Sequence, residues 1–94
     1  MDNIQEIAAI LAKIDDRRLI RDFLVCILTP HELKEVDGRW ELVKKLTRGV
    51  SQRQIAEELH MSLCKITRGS RELKKQDSAF RRVLEQYYLP KQAP

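Results

Sequence analysis

The chain has 94 residues, a net charge of +4 and only two cysteines. Cys26 and Cys64 form no C-x-x-C pair, which excludes a zinc knuckle and a disulfide framework, and no apolar run approaches the roughly 20 residues of a membrane span. We expect one domain over residues 1–94, soluble, cytoplasmic and without a membrane partner, whose small core favours oligomerisation.

Apolar residues recur at helical spacing along almost the whole chain, and no segment shows the period-two alternation of a strand. The first predicted helix carries one apolar stripe, formed by Ile4, Ile7, Ala8, Leu11 and Ile14. Asp15–Asp16 begins a second helix, whose apolar residues are Leu19, Ile20, Phe23, Leu24 and Ile27. The spacing therefore predicts an all-α fold of about six short helices.

The third helix has the clearest start signal. Thr29 supplies an N-cap hydroxyl, Pro30 the first helical position and Glu32 the carboxylate of a capping box. The helix should run to about Arg48, because Gly49 is typical of a helix C-terminus. Four apolar residues are expected to face inward: Val36, Trp40, Val43 and Leu46.

Residues 51–74 match the pattern of a helix-turn-helix. Ser51 and Ser62 are suitable N-caps for its two helices, and His60 occupies the turn position that often carries glycine. A left-handed backbone there costs a non-glycine residue some strain, although histidine is among the more tolerant. The small core between the helices is expected to consist of Ile55, Leu59, Met61 and Ile66. The second helix would read the major groove with its first residues.

A last helix should hold Phe80, Val83, Leu84 and Tyr87, before a frayed tail at residues 90–94. The charge excess lies in this second half of the chain, since residues 1–50 hold nine basic and nine acidic side chains. The basic residues concentrate in the second helix of the helix-turn-helix and just beyond it: Lys65, Arg68, Arg71, Lys74 and Lys75. Such a face indicates a polyanion partner, with a merely solvated helix face as the alternative.

Three stretches resemble the tryptophan repressor family: Leu28-Thr29-Pro30, the run from Arg48 to Arg53, and Ile66-Thr67-Arg68-Gly69-Ser70. The similarity extends from about Cys26 to Leu89, and the N-terminal helix is shorter than the family's. The resemblance implies an intertwined, all-helical homodimer. It also implies a repressor that binds palindromic double-stranded operator DNA of tryptophan biosynthesis or salvage genes, with L-tryptophan as corepressor.

The resemblance also implies which residues contact DNA. The helix beginning at Gln52 would cross the backbone, with Gln52 and Arg53 on phosphate or a base edge, and Ser62 would begin the reading helix. The groove-facing residues of that helix would be Leu63, Cys64, Lys65 and Thr67, and Lys74 would contact a phosphate. Taken without the resemblance, Gln52 and Arg53 are equally well ordinary first-turn surface residues, and Cys64 an exposed thiol without a role.

The corepressor site implied by the resemblance has two arginines on either side of the indole ring, Arg39 and Arg68. A planar guanidinium stacks on an aromatic face, which lysine does not do in the same way. Arg68 and the Thr29 hydroxyl would hold the ligand carboxylate, the carbonyls of Cys26 and Leu28 would accept from its ammonium group, and Gly69 would leave room for the ring. From the residues alone, surface or phosphate-binding arginines are the favoured interpretation, and Thr29 has a sufficient reason as an N-cap.

Two residues depart from the family pattern. Glu72 stands where the family usually offers a serine to the ligand ammonium, so this carboxylate would bind the ammonium more strongly, alter the choice of ligand, or pair with a nearby arginine. Ala56 stands where the family can have a lysine, which removes one phosphate contact.

Two other classes of function stay open at this point. One is a ligand-independent helix-turn-helix, as in the DNA-binding domains of replication initiators; the other is a helical module whose basic face meets an acidic protein. An enzyme is disfavoured because the chain has no Gly-rich phosphate loop, no G-x-S-x-G and no H-E-x-x-H. We expect no enzyme cofactor, and no metal site at His31 or His60.

Overall fold

A computed structural model describes residues 2–89, and within them the chain is helical, with no strand. The helices are α1 (Asn3–Leu11), α2 (Arg17–Ile27), α3 (Pro30–Thr47), α4 (Gln52–Leu59), α5 (Leu63–Lys74) and α6 (Ala79–Val83), and a π-helical turn (Leu84–Tyr88) follows α6. The expected all-α class with about six short helices is confirmed. The predicted frayed tail at residues 90–94 lies outside the described part of the chain.

The chain divides into two compact units, Met1–Glu35 and Val36–Pro94, and the division falls within α3. The prediction of one domain over residues 1–94 stays a prediction. Among the described residues, no helix is both long enough and apolar enough to cross a membrane.

In the first unit, side-chain caps determine where the helices begin. Asp2 accepts a hydrogen bond from the backbone N–H of Gln5 at 2.8 Å, and Asp16 accepts from the N–H groups of Arg18 and Leu19 at 3.0 and 3.2 Å. The second cap confirms the helix start predicted from Asp15–Asp16. No residue of α1 or α2 is fully buried. Ile7, Leu11, Ile20 and Phe23 are partly buried, whereas other large apolar residues of both helices are exposed.

The capping box predicted for α3 is present in both directions. The N–H of Glu32 donates to Thr29 Oγ1 at 3.1 Å, and the N–H of Thr29 donates to Glu32 Oε1 at 2.9 Å. Hydrogen bonds to the Glu32 carboxylate from the Thr29 backbone N–H and then from the Thr29 hydroxyl lower the pKa of this exposed carboxyl, with a further contribution from the charge of His31. At the other end, Gly49 has φ +87°, a left-handed conformation that favours glycine, so α3 ends where the sequence predicted.

The core of the second unit is centred on Leu42, Ile55 and Ile66, which are at most 3% exposed. Five partly buried residues pack against it: Leu46, Val50, Ala56, Leu59 and Met61. The four core residues expected for the helix-turn-helix are all in this cluster. The prediction for α3 is wrong at Val36, which is 49% exposed, although Val43 on the same helical face is buried. Within this chain that face is covered only towards its C-terminal end.

The end of the chain adds a second cluster. Trp40 of α3 stacks with Phe80 at a ring-centroid distance of 6.5 Å and meets Tyr88 edge-on at 6.1 Å. The guanidinium of Arg48 lies over the Tyr88 ring, 5.4 Å from its centroid, and also donates a hydrogen bond to the Tyr88 hydroxyl. Aromatic and cation–π contacts of this kind join the C-terminal helical segment to α3.

Candidate nucleic-acid interface and ligand residues

The turn between α4 and α5 is stabilised by a left-handed residue at the end of α4 and by a side-chain N-cap at the start of α5. His60 ends α4 with φ 52° and ψ 44°, which is the left-handed conformation expected for this turn. Ser62 then caps α5, because its hydroxyl accepts from the N–H of Lys65 at 3.3 Å. Ile55 and Ile66, both fully buried, join the two helices. Residues 51–74 therefore contain two short helices joined by a tight turn over a common core.

This core leaves the first turn of α5 exposed. Ser62, Leu63, Cys64 and Lys65 are all exposed, and the Leu63 side chain is exposed at 58% although it is apolar. The Thr67 hydroxyl donates to Gln52 Oε1 at 3.5 Å, so the first residue of α4 lies beside the exposed face of α5. Arg53 is also exposed at the start of α4. The structure thus brings most of the residues expected to contact DNA onto neighbouring parts of one surface.

A shallow groove of about 380 Å³ follows the same face of α5, lined by Leu63, Cys64, Thr67, Arg68 and Arg71. Arg71 was not singled out as a site residue from the sequence. Its position could have been predicted from the spacing, since residues 64, 67, 68 and 71 share one side of a helix. The groove lining combines the apolar Leu63 with the guanidinium groups of Arg68 and Arg71, which suits a planar or anionic group.

The C-terminal end of α5 is cationic but partly neutralised. Glu72 pairs with Lys75 at 2.9 Å, with both side chains substantially exposed. Glu72 thus pairs here with a lysine, and its role towards a ligand ammonium group stays a prediction. Lys74, the last residue of α5, is exposed, so its ammonium group can reach solvent or a phosphate.

Gly69 of α5 lies against Leu42 of α3. A Cβ placed on Gly69 would lie 2.8 Å from Leu42 Cδ2 and 3.3 Å from Leu42 Cγ. Real Cβ atoms are almost never this close to another carbon. In this chain the missing side chain of Gly69 therefore leaves room for Leu42, and its role beside a ligand ring stays a prediction.

Three of the expected ligand residues lie in the first unit, at the junction of α2 and α3. The carbonyl of Cys26 would bond the N–H four residues later in a continuing helix, but that residue is Pro30, which has none. The N–H of Glu32, four residues after Leu28, donates to Thr29 Oγ1 and so not to the Leu28 carbonyl. Neither carbonyl therefore has a helical N–H donor, and that of Cys26 lies at the negative end of α2, where a cation is favoured.

The two expected stacking arginines, Arg39 on α3 and Arg68 on α5, both belong to the second unit, and both are exposed. An exposed guanidinium retains a free planar face for stacking. Their placement on either side of one ligand, which the resemblance implies, stays a prediction.

Sequence reasoning missed Arg81 and Ser78. The Arg81 guanidinium donates to three backbone carbonyls, those of Leu73 and Lys75 at 2.9 Å and that of Gln76 at 2.7 Å. Ser78 is only 2% exposed, and its hydroxyl caps α6 by accepting from the Arg81 N–H at 3.1 Å. The serine could have been found as an N-cap residue; the arginine could not, because its contacts require the path of the chain between α5 and α6.

One ion pair connects α3 to α4, and a second lies within α3 beside it. Lys45 of α3 pairs with Glu58 of α4 at 3.2 Å, and Glu41 pairs with Lys44 at 2.8 Å. The hydrogen bond from Lys44, assisted by the charges of Lys44, Lys45 and Arg48, lowers the pKa of Glu41. Partly exposed pairs of this kind contribute little stability individually, but the Lys45–Glu58 pair favours one register of α4 on α3.

Comparisons with known proteins show which family the chain resembles along most of its length. The family model described as Trp repressor protein matches residues 2–88. A "Trp operon repressor homolog" of Chlamydia trachomatis serovar L2 is 32% identical over 82 residues, covering 86% of this chain and 87% of that protein. One of Vibrio cholerae serotype O1, with the same description, is 37% identical over 68 residues, covering 71% of this chain and 66% of its own length. No solved structure matches the chain significantly.

Proposed function

Because this chain belongs to the Trp repressor protein family, a family of regulators rather than enzymes, we propose that it is a tryptophan-activated transcriptional repressor. It binds palindromic operator DNA of tryptophan biosynthesis or salvage genes as a homodimer. The observation that carries the proposal is the exposed, cationic α5, which follows a tight turn in a helix-turn-helix.

The DNA step uses the exposed first turn of α5. Ser62, Leu63, Cys64, Lys65 and Thr67 face the bases of the major groove, while Gln52 and Arg53 contact the backbone or a base edge beside them. Lys74 contacts a phosphate at the other end of the helix. Each phosphate that a lysine or arginine neutralises releases counterions, so the affinity falls steeply as salt is raised.

The ligand step uses the two arginines and the end of α2. The indole ring of L-tryptophan stacks between Arg39 of one subunit and Arg68 of its partner, and Arg68 and the Thr29 hydroxyl hold the carboxylate. The carbonyls of Cys26 and Leu28 accept from the ammonium group. Their lack of a helical donor supports this role, because an ammonium group supplies the missing hydrogen bonds.

Dimerisation is supported by the apolar surface of α1 and α2. These helices contain no buried residue, and a monomer would leave a large apolar area in water. The exposed large side chains are Ile4, Ile10, Leu19, Leu24, Val25 and Ile27, between 39% and 74% exposed. A second copy of the chain that covers these residues would supply the core that α1 and α2 lack on their own.

The ligand acts by setting the distance between the two reading helices of the dimer. The two reading helices of a helix-turn-helix dimer must lie about one turn of DNA apart, roughly 34–36 Å, a general rule for which the tryptophan repressor is itself one of the standard examples. L-Tryptophan favours the DNA-competent arrangement by its higher affinity for it, and operator DNA must in turn tighten tryptophan binding by the same factor.

Fluorescence anisotropy of a labelled palindromic operator duplex, titrated with the protein with and without L-tryptophan, tests the proposal. The label on DNA avoids interference from Trp40 and from the ligand. We expect a large, tryptophan-dependent gain in affinity. Tight binding without a ligand effect would instead indicate a ligand-independent helix-turn-helix. No binding to the operator duplex or to plain duplex DNA at low salt would indicate a protein-interaction module.

Three variants locate the ligand site. Arg68→Ala should abolish the tryptophan response, and Arg39→Lys should weaken it although the charge is retained, because lysine does not stack as guanidinium does. Arg82→Ala removes an equally exposed cation from α6 and should leave the response intact. A normal response in Arg68→Ala would refute the site.

A further inference from the structure

Arg81 joins the end of α5 to the start of α6 through one side chain. Its guanidinium reaches the carbonyls of Leu73, Lys75 and Gln76 at 2.7–2.9 Å. The last carbonyls of an α-helix have no donor within the helix, and a cation is favoured at that end by the helix dipole. Arg81 therefore satisfies the C-terminus of α5 from outside the helix, with charge-assisted hydrogen bonds.

Arg81 is itself held in place by its surroundings. Its backbone N–H donates to the hydroxyl of the buried Ser78, and its Nε lies 3.8 Å from Glu85 Oε1 on the following helical turn. The backbone and the guanidinium of Arg81 are thus fixed by separate contacts. A planar guanidinium with several N–H groups can bond three carbonyls at once, which a lysine ammonium at the end of a flexible stem cannot match.

The three carbonyls surround Lys74. The Leu73 carbonyl belongs to the peptide group that precedes Lys74, and the Lys75 and Gln76 carbonyls belong to the first two peptide groups after Lys75. The backbone on both sides of Lys74 is consequently held by one side chain, at the point where α5 changes to an extended conformation at Lys75 (ψ 146°). The conformation of this backbone determines the direction in which the exposed Lys74 side chain extends into solvent.

We propose that Arg81 is a positioning residue for DNA binding, which fixes the last turn of α5 so that Lys74 reaches a backbone phosphate. The inference rests on the proposed function, since it assigns Arg81 a part in the same DNA contact. Arg81 does not touch DNA: its guanidinium is engaged by the protein's own carbonyls, so its effect on affinity passes through Lys74.

A double-mutant cycle with Lys74 tests this assignment. Operator affinity is measured at saturating L-tryptophan, at several salt concentrations, for wild type, Arg81→Gln, Lys74→Gln and the double variant. We expect Arg81→Gln and Lys74→Gln each to weaken binding about three- to tenfold and to reduce the slope of log affinity against log salt by about 0.9, the value for one lost phosphate contact. In the double variant, Arg81→Gln should add less than a twofold effect.

Arg82→Gln is the matched control, because it removes the same charge from the adjacent, exposed position. It should change affinity less than twofold. Equal losses in Arg81→Gln and Arg82→Gln, or independent effects of Arg81 and Lys74, would overturn the proposal. A partly unfolded variant would lower the active fraction without changing the salt slope, so the slope separates positioning from loss of structure.

Arg81→Lys keeps the charge and one donor group, and it should lie between wild type and Arg81→Gln in affinity and in salt slope. It provides the test if Arg81→Gln does not fold. Failure of the wild type to bind any duplex would refute the proposed function. Wild-type binding with an unchanged Arg81→Gln variant would refute only the role of Arg81.

Discussion

The close approach of α5 to α3 at Gly69 gives a prediction with an internal control. Gly69 and Gly38 both lie within helices, and replacing either with alanine gains the same helix propensity, about 0.8–1.0 kcal/mol. A Cβ on Gly38 would meet only Met61 Cε at 3.5 Å, an ordinary van der Waals contact. A Cβ on Gly69 would lie 2.8 Å from Leu42 Cδ2. The two substitutions therefore differ only in steric overlap.

The overlap is expensive because Leu42 is 3% exposed and its side chain is enclosed by the core. Overpacking of this kind costs about 1–3 kcal/mol. After the propensity gain, Gly69→Ala should lower the free energy of unfolding by as much as about 2 kcal/mol, whereas Gly38→Ala should raise it by about 1 kcal/mol. The difference between the two variants, about 1–3 kcal/mol, is the cost of the overlap alone.

Urea denaturation of both variants at one protein concentration measures this difference, since the stability of an oligomer depends on concentration. A double-mutant cycle identifies the partner: in a Leu42→Ala background the overlap is removed, so Gly69→Ala should stabilise the protein as Gly38→Ala does. If Gly69→Ala is as stable as Gly38→Ala in the wild-type background, the close packing described for α3 and α5 is incorrect.

Three further outcomes follow from the helix-turn-helix and from the ion pairs of α3. His60→Gly should raise the free energy of unfolding by about 0.5–1 kcal/mol in the same denaturation assay, because relief of left-handed strain outweighs the extra entropy of glycine; a loss of stability would contradict this. Ser62→Ala should cost about 1 kcal/mol as α5 loses its N-cap, and should be distinguished from Ser62→Gly, which costs only a few tenths. The lowered pKa of Glu41 means that its contribution to stability is complete above the ordinary glutamate pKa of about 4.3 and is lost as the pH falls through the lower folded-state pKa. Denaturation midpoints should therefore decline less below that pH in Glu41→Gln than in wild type, and parallel curves would show that the ion pair has no such effect.

The sequence determined where most helices begin and end, because those signals are local. Four N-cap side chains each accept from a backbone N–H two or three residues away: Asp16, Thr29, Ser51 and Ser62. Their capping role can therefore be predicted from the sequence spacing alone. The left-handed turn at His60 was predicted in the same way. The family resemblance is carried by short runs of residues, so the order of amino acids was sufficient to predict the family as well.

Only the tertiary structure showed which residues of α3 are covered and what fixes the end of α5. Val36 and Val43 occupy one helical face, but only Val43 is buried. Leu42 fits into the core because Gly69, a residue of another helix, has no side chain there. The role of Arg81 depends on three carbonyls that come together only when the chain turns after Lys74. Hydrogen bonds within one helical turn follow from residue order, whereas steric fit and convergent carbonyls depend on how the elements approach each other, which is decided when they pack.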